Sequence, residues 1–146
     1  MYYFDTSILV PLVLPEPTSN RVEAYVRALP LGSLYLSHWG RTEVASAVSR
    51  EVRLHSLSSE QGRRVWHRFS QMVDDSFRLI APQVGDFSTA DAFVMQFATA
   101  LRAADALHLA IAKNRGAATL LTLDRGLLKA AKMLGIPASH GIRLAS

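Results

Sequence analysis

The sequence predicts a single α/β domain spanning residues 1–146, in which helices cover both faces of a central parallel sheet of four to five short strands. Three observations predict it. Short apolar runs alternate along the chain with longer segments whose apolar residues recur at helical spacing. Capping or breaking residues bound those segments. Finally, 49% of the 146 residues are hydrophobic, enough for one core in a chain of one domain's length. No internal repeat, low-complexity tract or linker divides it.

Residues 2–5 form a short apolar run stopped by Thr6 and Ser7, and read as the first strand. A short helix follows, broken at Pro11 or ended near Pro15. Pro17 suits the first position of the next helix, whose apolar face is Val22, Tyr25, Val26 and Leu29, and Pro30 and Gly32 end it. A second strand is expected at 33–36. Ser37 is placed to cap a helix in which Val44, Val48 and Val52 recur every four residues. Ser58 with Gln61 makes a capping box for a helix burying Val65, Phe69, Met72 and Val73. A third strand is expected at 77–80. Ser88 with Asp91 reads as a second capping box, opening a helix through Phe93, Val94, Phe97, Ala98 and Leu101. Residues 103–114 are apolar nearly all round and predict a buried helix, with Gly116 at its C-terminal cap. A strongly apolar strand follows at 118–123. Leu127, Leu128, Ala131 and Leu134 mark a helix closed by Gly135, and 136–138 is a candidate last strand.

Composition narrows the chemistry. There is no cysteine, which excludes disulfides and thiolate metal sites and fits a reducing compartment. Any metal must be held by oxygen or imidazole. The N-terminus lacks a signal peptide's features, and its longest apolar run, ILVPLVL, falls far short of the roughly 20 residues that span a bilayer. A soluble, cytoplasmic protein is expected. The net charge is +4, from 16 basic residues, 13 of them Arg, against 12 acidic ones. With four acids committed to a metal site, the remaining surface would attract a polyanion.

Four acids stand out: Asp5, Glu43, Asp105 and Asp124. Asp5 and Asp124 each follow directly on a predicted strand, and ligands in open α/β sheets bind outside the carboxyl ends of strands. Asp105 has Leu101 and Leu109 one turn to either side, and Glu43 lies between Trp39 and Ala47 beside the valine face. A carboxylate in such company is costly unless paired, hydrogen-bonded or metal-bound. Two carboxylates about 4 Å apart repel by roughly 4 kcal/mol at an effective dielectric of 20. A divalent cation relieves that repulsion, and all-oxygen ligation favours Mg²⁺ or Mn²⁺, a combination suited to phosphodiester hydrolysis.

The segments FDTS (4–7), TEV (42–44), RAADALHLAIA (102–112) and TLLTLDRGL (119–127) resemble, in order, the four motifs of the PIN-domain nuclease family, and most of all its VapC-type toxins. The resemblance implies metal-binding, catalytic acids at Asp5, Glu43, Asp105 and Asp124, with a supporting hydroxyl at Thr6 or Ser7. It also implies an Mg²⁺- or Mn²⁺-dependent endoribonuclease that acts on RNA and inhibits translation, usually as a homodimer held inactive by a cognate antitoxin. Some relatives carry a further acid near the fourth motif; here Thr122 and Arg125 flank Asp124, so a fifth ligand is absent or comes from elsewhere.

Each residue also has a plainer reading. Asp5 and Asp124 are suited to cap helices, which does not exclude metal binding. Glu43 alone could be an ordinary helix residue, and Asp91 is explained as the partner of Ser88. His108, one turn after Asp105, is expected to pack or hydrogen-bond rather than ligate, and the other histidines show no ligand spacing. Arg41, Arg102 and Arg125 are candidates for phosphate contacts or for balancing the acidic cluster. Arg63, Arg64 and Arg68 read as a solvated face, with an RNA-tracking patch as the alternative. Trp39 and Trp66 fit packing better than base stacking.

Two other functions compete with the toxin ribonuclease. One is an inactive module of the same fold that binds RNA or protein, and a close variant is a PIN nuclease in RNA processing outside a toxin–antitoxin pair. The other, a phosphatase of the haloacid-dehalogenase type, needs a second Asp two residues after the first, where this chain has Ser7.

Overall fold

A computed structural model of the chain describes residues 1–143. Five strands, β1 (Tyr2–Phe4), β2 (Leu34–Ser37), β3 (Arg78–Ile80), β4 (Thr119–Leu121) and β5 (Ala138–Ser139), form one parallel sheet in the order β3-β2-β1-β4-β5. Seven α-helices accompany them among the described residues: α1 (Thr6–Leu9), α2 (Ser19–Arg27), α3 (His38–Arg53), α4 (Ser59–Ser76), α5 (Val84–Val94), α6 (Ala103–Asn114) and α7 (Arg125–Met133). The earliest strand is therefore central, and the chain returns to its far side only at β4.

Alternation along the strands sends side chains to two cores, one on each face of the sheet. Tyr3 and Leu120 join a cluster with Phe93, Leu109, Ile111 and Leu127 from α5, α6 and α7. Phe4 and Leu121 join the other, with Ile8, Val22, Val44 and Phe69 from α1 to α4. Every residue of α6 from Ala106 to Ala112 is buried. Each buried Leu or Ile there contributes about 1.5–3 kcal/mol, which outweighs the weak amphipathic character of the segment. No helix among the described residues is long and apolar enough to cross a membrane.

The expected strands are present with ends displaced by one or two residues. Ser37 caps α3 through Gly40 N–H, and Ser58 with Gln61 closes a capping box on α4. Two expectations need correction. Pro17 does not start a helix: Ser19 N–H bonds Glu16 C=O at 3.0 Å, making 16–19 a turn, and α2 begins at Ser19. The Ser88–Asp91 box does not form either, since α5 opens five residues earlier at Val84, with Gln83 and Asp86 as its capping box. Buried Asp86 accepts Gln83 N–H at 2.8 Å and is clamped by Asn114 and Arg115 from the end of α6. Helix α5 stops at Val94 rather than near Leu101; a 3₁₀ turn at Phe97–Thr99 follows, and Ala100 takes a left-handed conformation (φ 55°).

Candidate functional site

Pairing between β1 and β4 sets Phe4 opposite Leu121, so Asp5 and Thr122 emerge side by side at the carboxyl edge of the sheet. Asp5 is buried. Its Oδ2 accepts from Ser7 Oγ at 2.6 Å, Thr122 Oγ1 at 2.8 Å and Ser7 N–H at 3.3 Å, the last capping α1. Both hydroxyls are themselves fixed: Ser7 Oγ accepts Leu123 N–H at 2.8 Å, and Thr122 Oγ1 accepts Asp124 N–H at 3.0 Å. With Oδ2 engaged in this way, Oδ1 faces His108 Nε2 at 3.6 Å.

Glu43 reaches the same place from the second turn of α3. Its Oε2 accepts from Thr6 Oγ1 at 2.5 Å and contacts His108 Nε2. Thr6 and Ser7 thus serve different acids, Thr6 holding Glu43 and Ser7 holding Asp5. His108 is 1% exposed, and its Nδ1 lies 2.8 Å from Tyr3 Oη. Burial disfavours the imidazolium, but the Glu43 hydrogen bond and the charges of Asp5, Glu43 and Asp105 outweigh that and hold the imidazole pKa above its ordinary value.

Asp105 sits one turn before His108 on α6. Burial raises its carboxyl pKa, and the charges of Asp5, Asp124 and Glu43 raise it further, against an opposing effect of His108. Asp124 is exposed at the rim and caps α7, its Oδ1 accepting Leu127 N–H at 2.8 Å. One ligand atom each from Asp5, Glu43 and His108 lies within 4.8 Å of the others, while Asp105 and Asp124 stand outside that compact trio but within its electrostatic reach. Asp5 and Glu43 meet at one imidazole with Asp105 and Asp124 within electrostatic reach, and this oxygen-rich donor set fits a hard divalent cation.

The three candidate arginines are placed differently. Arg102 is the exposed N-cap residue of α6, and Arg125 is exposed at the start of α7. Arg41 is directed to α4, where its guanidinium donates to Ser70 Oγ at 3.2 Å and stacks 5.3 Å over the Trp66 ring. Arg63, Arg64 and Arg68 are exposed on α4, and Trp39 packs against the core. Sequence reasoning missed Thr122 as a partner of Asp5, and it missed Tyr3 and Ser37 as the support behind His108. The hydroxyl-rich flanks of the first and fourth motifs were the available signal for Thr122.

A family model for the PIN domain matches residues 2–133. The chain belongs to the PIN-domain family. Solved structures similar to this PIN domain include FitAcB from Neisseria gonorrhoeae, with a TM-score of 0.76 at 22% identity, covering 97% of this chain and 98% of that one. Another is VapC20 from Mycobacterium tuberculosis, described as a sarcin–ricin loop cleaving toxin, with a TM-score of 0.72 at 13% identity over 89% of this chain and 95% of that one. VapBC2 from Rickettsia felis, bound to a promoter DNA fragment, gives a TM-score of 0.65 at 17% identity over 94% and 96%. No curated protein sequence matches this PIN domain.

Proposed function

We propose that this PIN domain is a metal-dependent endoribonuclease, the toxin of a toxin–antitoxin pair, acting in the cytoplasm on RNA and thereby inhibiting translation. The observation that carries the reading is the meeting of Asp5 and Glu43 at the carboxyl edge of the sheet, with the Asp105 carboxyl raised by burial and then by their charges and that of Asp124. Asp5, Glu43, Asp105 and Asp124 would hold Mg²⁺ or Mn²⁺, which when bound supplies charge neutralisation and water activation for phosphodiester hydrolysis. The chain's own contribution is orientation: Ser7 and Thr122 lock Asp5, and Thr6 and His108 lock Glu43. Exposed Arg102 and Arg125 are proposed to meet the phosphates flanking the scissile bond.

The partners follow from the same reading. Similarity to VapBC and FitAB assemblies supports a cognate antitoxin. Val84, Phe87, Met95 and Phe97 expose apolar side chains on and just after α5, and they support a homodimer through that face.

The deciding experiment is incubation of antitoxin-free protein with total RNA in Mg²⁺ and in Mn²⁺, with Asp5→Asn and Asp105→Asn as controls. Cleavage is expected for the wild type and is expected to vanish in both variants and in chelator. RNA binding without cleavage and without cation uptake would instead identify an inactive binding module. Cleavage confined to one processing precursor, with no antitoxin gene adjacent, would place the enzyme in RNA maturation.

A further inference from the structure

We propose that His108 is a positioning residue for Glu43, anchored from behind by Tyr3 and Ser37, rather than a ligand of the cation; the inference rests on the reading of Glu43 as part of a metal site. A continuous chain of polar atoms supports it. Gly40 N–H donates to Ser37 Oγ at 3.0 Å, Tyr3 Oη lies 2.9 Å from Ser37 Oγ and 2.8 Å from His108 Nδ1, and His108 Nε2 meets Glu43 Oε2. Tyr3 and Ser37 are fully buried and His108 nearly so. Water therefore has no route to the bonds behind the ring, those among Gly40, Ser37, Tyr3 and His108 Nδ1.

Counting protons assigns the roles. The Tyr3 hydroxyl has one hydrogen and donates it to Ser37 Oγ, so its oxygen is left to accept from His108 Nδ1. Nε2 meets a carboxylate oxygen, which has no hydrogen of its own to give, so the hydrogen of that contact is carried by Nε2. A nitrogen that donates to Glu43 has no lone pair for a cation. Its orientation is held at the opposite ring nitrogen, which is how a partner behind an imidazole fixes the ring. Ser37 caps α3, and Glu43 is presented by the same helix. The chain thus returns to the helix it started from and sets Glu43 relative to its own N-terminus.

The test uses the intact protein and reads the metal-free state as well as the loaded one. In the metal-free wild type, nitrogen-15 NMR should show a slowly exchanging His108 Nε2–H proton, which moves in Glu43→Gln and in Tyr3→Phe. By calorimetry without RNA, His108→Leu should weaken Mn²⁺ binding about tenfold, whereas His108→Gln, which keeps a donor, should stay within about threefold of wild type. Equal losses in the two variants at matched thermal stability would mean that His108 only fills space. Nitrogen coupling from His108 to bound Mn²⁺ in electron spin-echo spectra would make it a ligand and overturn the proposal. If the wild type takes up no Mn²⁺, the metal-site reading fails, while the Nε2–H resonance still decides whether His108 holds Glu43.

Discussion

The Ser7 hydroxyl donates to Asp5 Oδ2 at 2.6 Å and in the same position accepts the backbone N–H of Leu123 at 2.8 Å. One side chain beside β1 thus holds the carboxylate and ties it to the segment leaving β4. Ser7→Ala leaves the Leu123 N–H without this acceptor and Asp5 without one donor. A loss of about 1–3 kcal/mol is expected in denaturant unfolding, with Mn²⁺ affinity several-fold weaker by calorimetry. Unaltered Mn²⁺ affinity would show that Asp5 is oriented without Ser7.

Burial and the charges of three other acids raise the Asp105 carboxyl, against an opposing effect of His108. Asp105→Asn keeps the shape of the side chain and removes one charge. The metal-free variant should be more stable than wild type by about 1 kcal/mol, or about 3 °C in melting temperature at this chain length. It should also lose the stabilisation that Mn²⁺ gives the wild type. Melting curves of both proteins with and without Mn²⁺ check this, and a variant that melts lower without metal would contradict the electrostatic account.

Asp86 joins the start of α5 to the end of α6, away from the carboxylate cluster. Burial pushes its carboxyl upward, but bonds from Gln83 N–H, Asn114 and Arg115 outweigh that and hold it below the usual carboxylate range. Its folded-state pKa lies below the unfolded one, so its stabilisation is fully present above about pH 4 and is lost as pH falls through the folded value. Asp86→Asn should cost about 2–3 kcal/mol at pH 7, since Arg115 is left largely buried opposite a neutral group. The gap to wild type should close on acidification below pH 4. A gap independent of pH would mean that the clamp acts through shape rather than charge.

Gly62 lies where α4 crosses α3, and a Cβ there would stand 2.6 Å from Val52 Cγ2. In an open helix, Gly→Ala gains about 1 kcal/mol. Here the branched Val52 side chain has little freedom to retreat, so Gly62→Ala should be destabilising by about 1–2 kcal/mol in urea unfolding. Mn²⁺ binding should be unaffected, since Gly62 touches no part of the carboxylate cluster.

What could be read from the chain alone was what local chemistry decides. Ser37 and the Ser58–Gln61 pair announce helix starts because capping involves residues three apart. Asp5 and Asp124 were legible as strand-end acids, and both cap helices, as their plainer reading expects; capping does not exclude the metal-binding role proposed for them. Ser88 and Asp91 carried the same local pattern and misled. The competing cap at Asp86 draws its advantage from Arg115, 29 residues away on another helix. The meeting of His108 with Glu43 was equally invisible, because it depends on α3 and α6, which pack on opposite faces of the sheet, bringing these side chains together. Tyr3 read only as an apolar strand residue, and its hydroxyl gains a role through partners from two distant segments.

The strand order has a consequence for biosynthesis. β1 is made before β2, β3 and one of its two neighbours in the sheet, β4, which follows them in the chain. A nascent chain halted before Thr119 lacks that neighbour, and with it Thr122 and Asp124. A product that ends there cannot assemble the surroundings of Asp5 described above, in which Thr122 from beyond β4 donates to its Oδ2.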